Sequence, residues 1–310
     1  MILTVALDPV LENRYYVENL YPKTINKADK VLYKISGKGI ICTRILKSLN
    51  MDVFSTGFLG GLKGKYIFEE LKRQNIYNDF VFIKDETRGN LLLYQKEELI
   101  STIAEDGPRI TREEIGTFYE LFNKLIDRFD LICALGDLPI GVPEEIYFDL
   151  IDIAKKRDKR FVLDAKGTEL IFGLEAAPFM AIVDREDLEQ ISRLKLDFEN
   201  EIIKVGISLL EMGIEAVIID LDGSGTIVLN HKQGYRLSVP GMENMKVKKD
   251  QGYLAAGYVF GIDKGYKFET TMKIGQGFRL AYAMGDDRDL IDMGHIKKIM
   301  NEIDISSIYY

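Results

Sequence analysis

The chain has 310 residues, 46% of them hydrophobic and 29% charged, and a formal net charge of −8. That length can bury the full core of one large α/β domain, and the ordinary composition excludes disordered and fibrous classes. The acidic balance, with no long basic stretch to offset it, excludes a nucleic-acid partner.

Ile2–Leu7 is a continuous apolar run, which predicts a strand buried on both faces. The same start has no positively charged leader, and no later run is long enough to span a bilayer, so no membrane partner is expected. Asn13–Val17 and Lys30–Ile35 are short alternating segments. Ser36-Gly37-Lys38-Gly39-Ile40 then opens a helix predicted over Ile40–Leu49. Small residues there turn backbone N–H groups outward, a lysine sits among them, and a helix N-terminus lies behind: a phosphate-gripping turn. A strand is predicted over Val53–Phe58, a helix over Tyr66–Arg73, and a hairpin from Arg88–Tyr94 and Glu98–Ala104 about Gln95-Lys96-Glu97. Thr111 and Glu114 form a capping box ahead of Ile115, Phe118, Tyr119, Phe122, Leu125 and Ile126, which repeat at helical spacing. Leu131–Leu135 is a buried strand, followed by a helix beginning near Pro143. Arg160–Leu163 and Ala216–Ile219 are further buried strands, each preceded by a helix, and Ala255, Ala256 and Gly257 mark a late, closely packed helix.

The alternation implies an α/β fold with a mostly parallel sheet covered on both faces. The segments at about 12–36 and 88–104 break that rhythm and predict a small β lid on a single domain spanning residues 1–310. Its aromatic faces (Tyr15, Tyr16, Tyr33, Tyr94) call for a cover, so a lid, a homodimer interface or both is expected. Two cysteines far apart in sequence, Cys42 and Cys133, with His231 and His295, define neither a disulfide framework nor a zinc site. Both cysteines read as small buried hydrophobes of a reducing, cytoplasmic protein.

Six motifs stand in the order of one family. Ala6-Leu7-Asp8-Pro9-Val10-Leu11-Glu12 resembles T-L-N-P-A-x-D, and Ser36-Gly37-Lys38-Gly39-Ile40-Ile41 resembles G-G-K-G-I-N. Gly57-Phe58-Leu59-Gly60-Gly61, Thr87-Arg88-Gly89-Asn90 and Glu105-Asp106-Gly107-Pro108 resemble G-x-x-G-G, T-R-x-N and E-P-G-P. Gly136-Asp137-Leu138-Pro139-Ile140-Gly141-Val142-Pro143 resembles G-S-L-P-x-G-x-P. Together they resemble the PfkB carbohydrate kinases, in the branch of 1-phosphofructokinase and tagatose-6-phosphate kinase. The resemblance implies a ribokinase-like three-layer α/β/α core and transfer of the γ-phosphoryl of MgATP to a hexose phosphate held between core and lid. It also implies that Lys38 and Arg88 grip the substrate's phosphate beside Gly37 and Gly39, while Glu12 and Asn90 hold sugar hydroxyls. Glu12 for aspartate and Ile41 for asparagine alter the hydroxyl-reading positions.

The nucleotide side departs further. The family's G-A-G-D supplies an anion hole and a base, and phosphoryl transfer relies on that positioning and charge stabilisation. Here Lys249, Asp250 and Gln251 stand at the hole and Gly252 at the base position. Asp250 is the nearby carboxylate, either a displaced base or an N-cap for a helix starting at Gln251 or Gly252; a two-residue offset turns a side chain by about 200°. Asp184-Arg185-Glu186-Asp187 replaces N-x-x-E and keeps carboxylates, Asp184 and Asp187, that suit a hydrated metal. No residue is assigned as a direct metal ligand. Asp220-Leu221-Asp222-Gly223-Ser224-Gly225 replaces S-L-G-x-x-G, so Asp222 places charge, beside Gly225, where a polyphosphate passes. Lys248 and Lys249 either offset that charge or fill the phosphate site. Asp220 to His231 mimics a calcium loop, but His231 stands where the bidentate glutamate belongs, and a tight turn is expected. Phosphosugar binding with weakened or lost transfer, and full kinase activity using Asp250, are the two functions that follow.

Overall fold

Strands that are apolar throughout need cover on both faces, and the computed structural model, which describes residues 1–240, 252–283 and 291–310, supplies it. The chain opens with β1 (Ile2–Ala6), β2 (Val10–Val17) and β3 (Lys30–Ser36), then α1 (Lys38–Ser48). β4 (Val53–Gly60), α2 (Gly61–Arg73), β5 (Tyr77–Asn78), β6 (Val81–Ile83), β7 (Gly89–Gln95) and β8 (Glu98–Ala104) follow. Next come α3 (Arg112–Leu125), β9 (Leu131–Leu135), α4 (Ile146–Lys155), β10 (Arg160–Asp164), α5 (Gly167–Glu175) and β11 (Met180–Asp184). α6 (Arg185–Ser192) and α7 (Glu199–Glu211) lead to β12 (Ala216–Asp220), β13 (Thr226–Asn230) and β14 (Gly234–Ser238). The remaining described elements are α8 (Tyr253–Asp263), α9 (Phe268–Ala283), α10 (Met293–Glu302) and β15 (Asp304–Ile308).

The main sheet runs β15-β14-β13-β12-β11-β10-β9-β1-β4-β5, with β6 also paired to β4. From β12 to β5 the pairs are parallel, whereas the β12–β13, β13–β14 and β14–β15 pairs are antiparallel. Successive residues of a strand point to opposite faces, so each apolar run feeds two cores. Leu3, Val5, Ile132, Ala134, Phe161 and Leu163 pack with Phe118 of α3, Leu150 of α4 and Leu209 of α7. Ile2, Leu131, Cys133, Leu135 and Val162 pack on the other face with Ile45 of α1, Leu254 of α8 and Phe278 of α9. This is a three-layer α/β/α core.

β2, β3, β7 and β8 form a separate four-stranded sheet in the order β3-β2-β7-β8. Its hairpin turn needs only Lys96 and Glu97, both at positive φ, which suits the twist of a two-residue connection. Tyr16 and Tyr94 stack at 4.7 Å, and Tyr33 leans on Tyr66 of α2. The capping box forms as read: Thr111 accepts from the Glu114 amide and Glu114 accepts from the Thr111 amide. The fourth helix starts at Ile146 and not at Pro143, because a turn closed by the Ile146 N–H to the Pro143 carbonyl precedes it. Cys42 and Cys133, distant in sequence, are both free and fully buried, and burial raises the Cys133 thiol well above its usual range. No helix among the described residues is long and apolar enough to cross a membrane.

The small residues of α8 serve its contact with α9. A Cβ on Gly257 would lie 2.7 Å from the Gly275 Cα, and one on Gly275 would lie 2.4 Å from the Tyr258 ring. Gly257→Ala is therefore expected to destabilise the fold: overpacking costs about 1–3 kcal/mol and exceeds the helix-propensity gain of about 1 kcal/mol. Urea unfolding followed by circular dichroism checks this, and an unchanged or raised midpoint would contradict it.

Candidate active site

The glycine-rich turn at residues 36–39 is a junction of elements. Gly37 caps α1 at φ +99°, and a Cβ on Gly39 would lie 2.6 Å from that of Ala6. Absence of those side chains lets the N-terminus of α1 lie against the end of β1, where ligands of parallel α/β sheets bind. Two cavities adjoin there. The smaller, about 180 Å³, is lined by Asp8, Glu12, Gly37, Lys38, Gly39, Arg88, Asn90 and Asp137, among others. The larger, about 430 Å³, is lined by Lys38, Asp137, Asp164, Lys166, Asp184, Glu186, Asp187, Asp220 and Asp222, among others. Lys38 and Asp137 line both.

All six residues read as substrate-binding meet at the smaller cavity. The parallel register of β2 and β7 sets Glu12 beside Asn90, and Arg88 immediately precedes β7. The cations are already engaged. Arg88 Nε lies 2.7 Å from Asp8 Oδ2, Lys38 Nζ donates to Asp164 Oδ1 at 2.8 Å, and Arg14 donates to Glu12 Oε2. Asp8 Oδ1 and Asn90 Oδ1 are buried and have no hydrogen-bond partner among the described residues. Burial raises the Asp8 carboxyl to about 6; Arg88 opposes the rise and Asp137 adds to it. Ile41, at the family's asparagine position, is buried in the apolar layer with α8 and α9.

On the other side, Gly252 is the N-cap of α8, which begins at Tyr253, so the expected helix start at Gln251 or Gly252 is corrected. Gly252 holds φ +92°, and a Cβ there would lie 2.7 Å from the Lys38 carbonyl oxygen. The N-termini of α1 and α8 therefore touch. A carboxylate at the base position would need both a left-handed backbone and a displaced Lys38 carbonyl. Lys248, Lys249, Asp250 and Gln251 lie outside the described residues.

Asp222 sits at φ +52° in a 3-10 turn between the antiparallel β12 and β13, the turn expected there, with its N–H bonded to Asp220 Oδ1. Gly225 closes the turn at φ +108°, where a Cβ would lie 2.1 Å from the Leu237 carbonyl oxygen. Behind this turn is a cation that the sequence reading missed. Arg279 of α9, 1% exposed, donates from Nε to Asp220 Oδ2 at 2.8 Å, and its Nη2 lies 3.8 Å from Asp222 Oδ1.

A second missed cation, Lys166, occupies the acidic pair. Asp184 caps α6 by accepting from the Asp187 N–H, and Asp187 Oδ2 accepts from the Asp184 N–H. Lys166 Nζ donates to Asp184 Oδ2 and, at 2.7 Å, to Asp187 Oδ2. Burial alone would lower the Lys166 ammonium, but its two carboxylate bonds outweigh it and hold it above the usual lysine range. Burial would raise Asp184, yet the Lys166 bond and the Asp187 N–H keep it below its ordinary value. For Asp187 burial wins and raises the carboxyl to about 6. The legible signal was a lysine at a strand end before a helix, in Asp164-Ala165-Lys166-Gly167. Its partners are set by the neighbouring strand.

The group that the resemblance implies here is MgATP. The larger cavity sets two cations, Lys38 and Lys166, among seven carboxylates. The Asp184–Asp187 pair does not fit a directly bound metal, because three of its four oxygens already accept from the pair's own backbone N–H groups and one ammonium. Among the described residues no group of three or more His, Cys, Asp or Glu is placed to hold a metal.

With that geometry in hand, the comparisons with known proteins are specific. The chain is 28% identical over 275 residues to 1-phosphofructokinase of Bacillus subtilis, covering 89% of this chain and 90% of that one. It is 27% identical over 310 residues to 1-phosphofructokinase of Borreliella burgdorferi, covering 100% and 99%. Phosphofructokinase-2 from Escherichia coli, solved with potassium, superposes with a TM-score of 0.85 at 18% identity over 97% of this chain and 98% of that one, a likeness of fold. The family model for pfkB family carbohydrate kinases matches residues 5–248. The chain belongs to the pfkB family of carbohydrate kinases.

Proposed function

We propose that the chain binds a phosphorylated hexose in the smaller cavity, between the four-stranded sheet and the core, and that ATP-dependent phosphoryl transfer is weakened or lost in it. The observation that carries the reading is the pair of buried, partnerless oxygens, Asp8 Oδ1 and Asn90 Oδ1, in one cavity with Lys38 and Arg88. Buried polar atoms are nearly always paired, so two orphans in one small cavity mark where ligand hydroxyls belong. The relatives named 1-phosphofructokinase make fructose 1-phosphate the first ligand to try.

Loss of transfer rests on the other side of Lys38. Gly252 has no proton acceptor, and its left-handed backbone against the Lys38 carbonyl leaves no space for one. Seven carboxylates line the larger cavity against Lys38 and Lys166, both engaged in ion pairs. Two unit charges 4 Å apart interact by about 4 kcal/mol near a protein surface, more than a typical hydrogen bond contributes. A polyphosphate meets net repulsion there.

Calorimetry with fructose 1-phosphate, fructose 6-phosphate, tagatose 6-phosphate and MgATP tests this. At least one sugar phosphate should bind, Lys38→Ala and Arg88→Ala should each weaken it by about tenfold or more, and MgATP should add little or no turnover. Robust turnover abolished by Asp250→Ala would overturn the reading and establish a kinase with a displaced base.

The Asp8 carboxylate competes with the ligand's phosphate for Arg88. Well above pH 6 it is ionised; as the pH falls through about 6 it takes a proton and releases the guanidinium. Asp8→Asn should therefore bind the sugar phosphate about tenfold tighter than wild type at high pH, one charge-assisted hydrogen bond being worth about 1.5–3 kcal/mol. That advantage should shrink toward low pH, and because phosphate ionisation is common to both proteins it cancels in the comparison. A constant ratio across the range would exclude the competition.

The four-stranded sheet is proposed to pair with its copy in a second chain. β8 is an edge strand exposed along its whole length, and Leu99, Ile100, Ile103, Val31, Leu32 and Tyr33 are exposed on this sheet. Such edges are normally covered. Light scattering at micromolar concentration should return a dimer; a clean monomer would contradict the pairing.

A further inference from the structure

The acidic pair between β11 and α6 poses a problem that binding of a sugar phosphate does not use. Asp184 and Asp187 share one site, each within hydrogen-bond reach of the other's backbone N–H, and the Asp187 side chain is only 4% exposed. Two carboxylates brought together out of water repel unless a cation lies between them. In nucleotide sites that cation is commonly divalent and takes oxygen ligands in a closed shell.

We infer that Lys166 is the resident cation of this pair, its ammonium standing where a divalent ion would otherwise bind, so that the apoprotein has no divalent site there until that ammonium is removed. The placement follows from topology. β10 and β11 are parallel neighbours, so their C-terminal ends set Lys166 and Asp184 side by side. Lys166 is the N-cap of α5 and Asp184 the N-cap of α6, which anchors both backbones. The Lys166 ammonium bonds both carboxylates at once, and its side chain, 37% exposed, also borders the larger cavity. Asp184 Oδ1 and Asp187 Oδ2 are further occupied by backbone N–H groups, so few lone pairs remain for a metal. Mg²⁺ demands near-octahedral oxygen ligation and gives up its water reluctantly, and it cannot share that centre with an ammonium. Removing the Lys166 charge leaves the carboxylates in place and restores the need for a cation.

The test uses Mn²⁺ alone with the full chain and needs neither sugar nor nucleotide, so its failure is separate from failure of the ligand reading above. Free Mn²⁺ is followed by electron paramagnetic resonance in wild type, Asp187→Asn, Lys166→Met, and Lys166→Met combined with Asp187→Asn. Wild type is expected to show no site sensitive to Asp187→Asn. Lys166→Met should bind Mn²⁺ about tenfold tighter or more, and Asp187→Asn should remove that gain. A wild-type site abolished by Asp187→Asn, or a folded Lys166→Met with no gain, overturns the inference. Should Lys166→Met not fold, nitrogen-15 NMR of the wild-type lysine ammonium groups decides, with Lys166→Arg for assignment. The Lys166 signal should stay unmoved by millimolar Mg²⁺, and displacement by the metal overturns the inference.

Discussion

The carbonyl oxygen of Lys38 is where two helix N-termini touch. A Cβ on Gly252 would lie 2.7 Å from it, so α8 reaches α1 only because residue 252 has no side chain. That contact brings two partial positive charges to the boundary between the cavities, each helix N-terminus carrying roughly half an elementary charge. Residue 252, the expected base position, is held in a left-handed conformation against that backbone atom, so its lack of a side chain is built into the packing of the two helices. Restoring a carboxylate there would require the Lys38 carbonyl, and with it the glycine turn, to move.

Around that contact the cations are distributed among internal acids. Lys38 serves Asp164, Arg88 serves Asp8, Lys166 serves Asp184 and Asp187, and Arg279 serves Asp220. Each of these carboxylates is largely buried, so each pair is screened far less than a surface ion pair. Breaking one to admit a phosphate leaves a desolvated carboxylate behind, a cost of several kcal/mol by the usual behaviour of buried pairs. Burial already raises the Asp8 carboxyl to about 6, so its pair yields by protonation at mild acidity. Arg279 pairs with Asp220 out of reach of solvent, with only 1% of its side chain exposed.

The layered core was legible because its signals are local. Leu131–Leu135 is apolar at every position and Ile2–Leu7 at every position but Thr4, which only a strand buried on both faces sustains, and the Thr111–Glu114 box needs only four residues. β15 escaped because Asp304–Ile308 is mostly exposed and carries two serines; it is a strand only through its pairing with β14. The convergence of Glu12, Lys38, Arg88 and Asn90 was readable from motif order. What consumes their charge was not, since Lys38 and Asp164 are 126 positions apart and meet only when β10 enters the sheet. Lys166 and Arg279 were missed for the same reason: each acquires its meaning from a neighbouring strand or helix.

The two sides of Lys38 differ in how completely the protein satisfies itself. On the side of the larger cavity, the acids Asp164, Asp184, Asp187 and Asp220 each have a cation bonded to them. A buried network in that state is stable without a ligand and resists one, because any entering group must replace bonds already made. On the side of the smaller cavity, Asp8 and Asn90 each keep a buried oxygen with no partner among the described residues. Leaving such an atom desolvated costs about 1–3 kcal/mol, and a ligand hydroxyl recovers it. On the proposed reading, filling the smaller cavity recovers a cost that the apoprotein carries, and filling the larger one offers no comparable return.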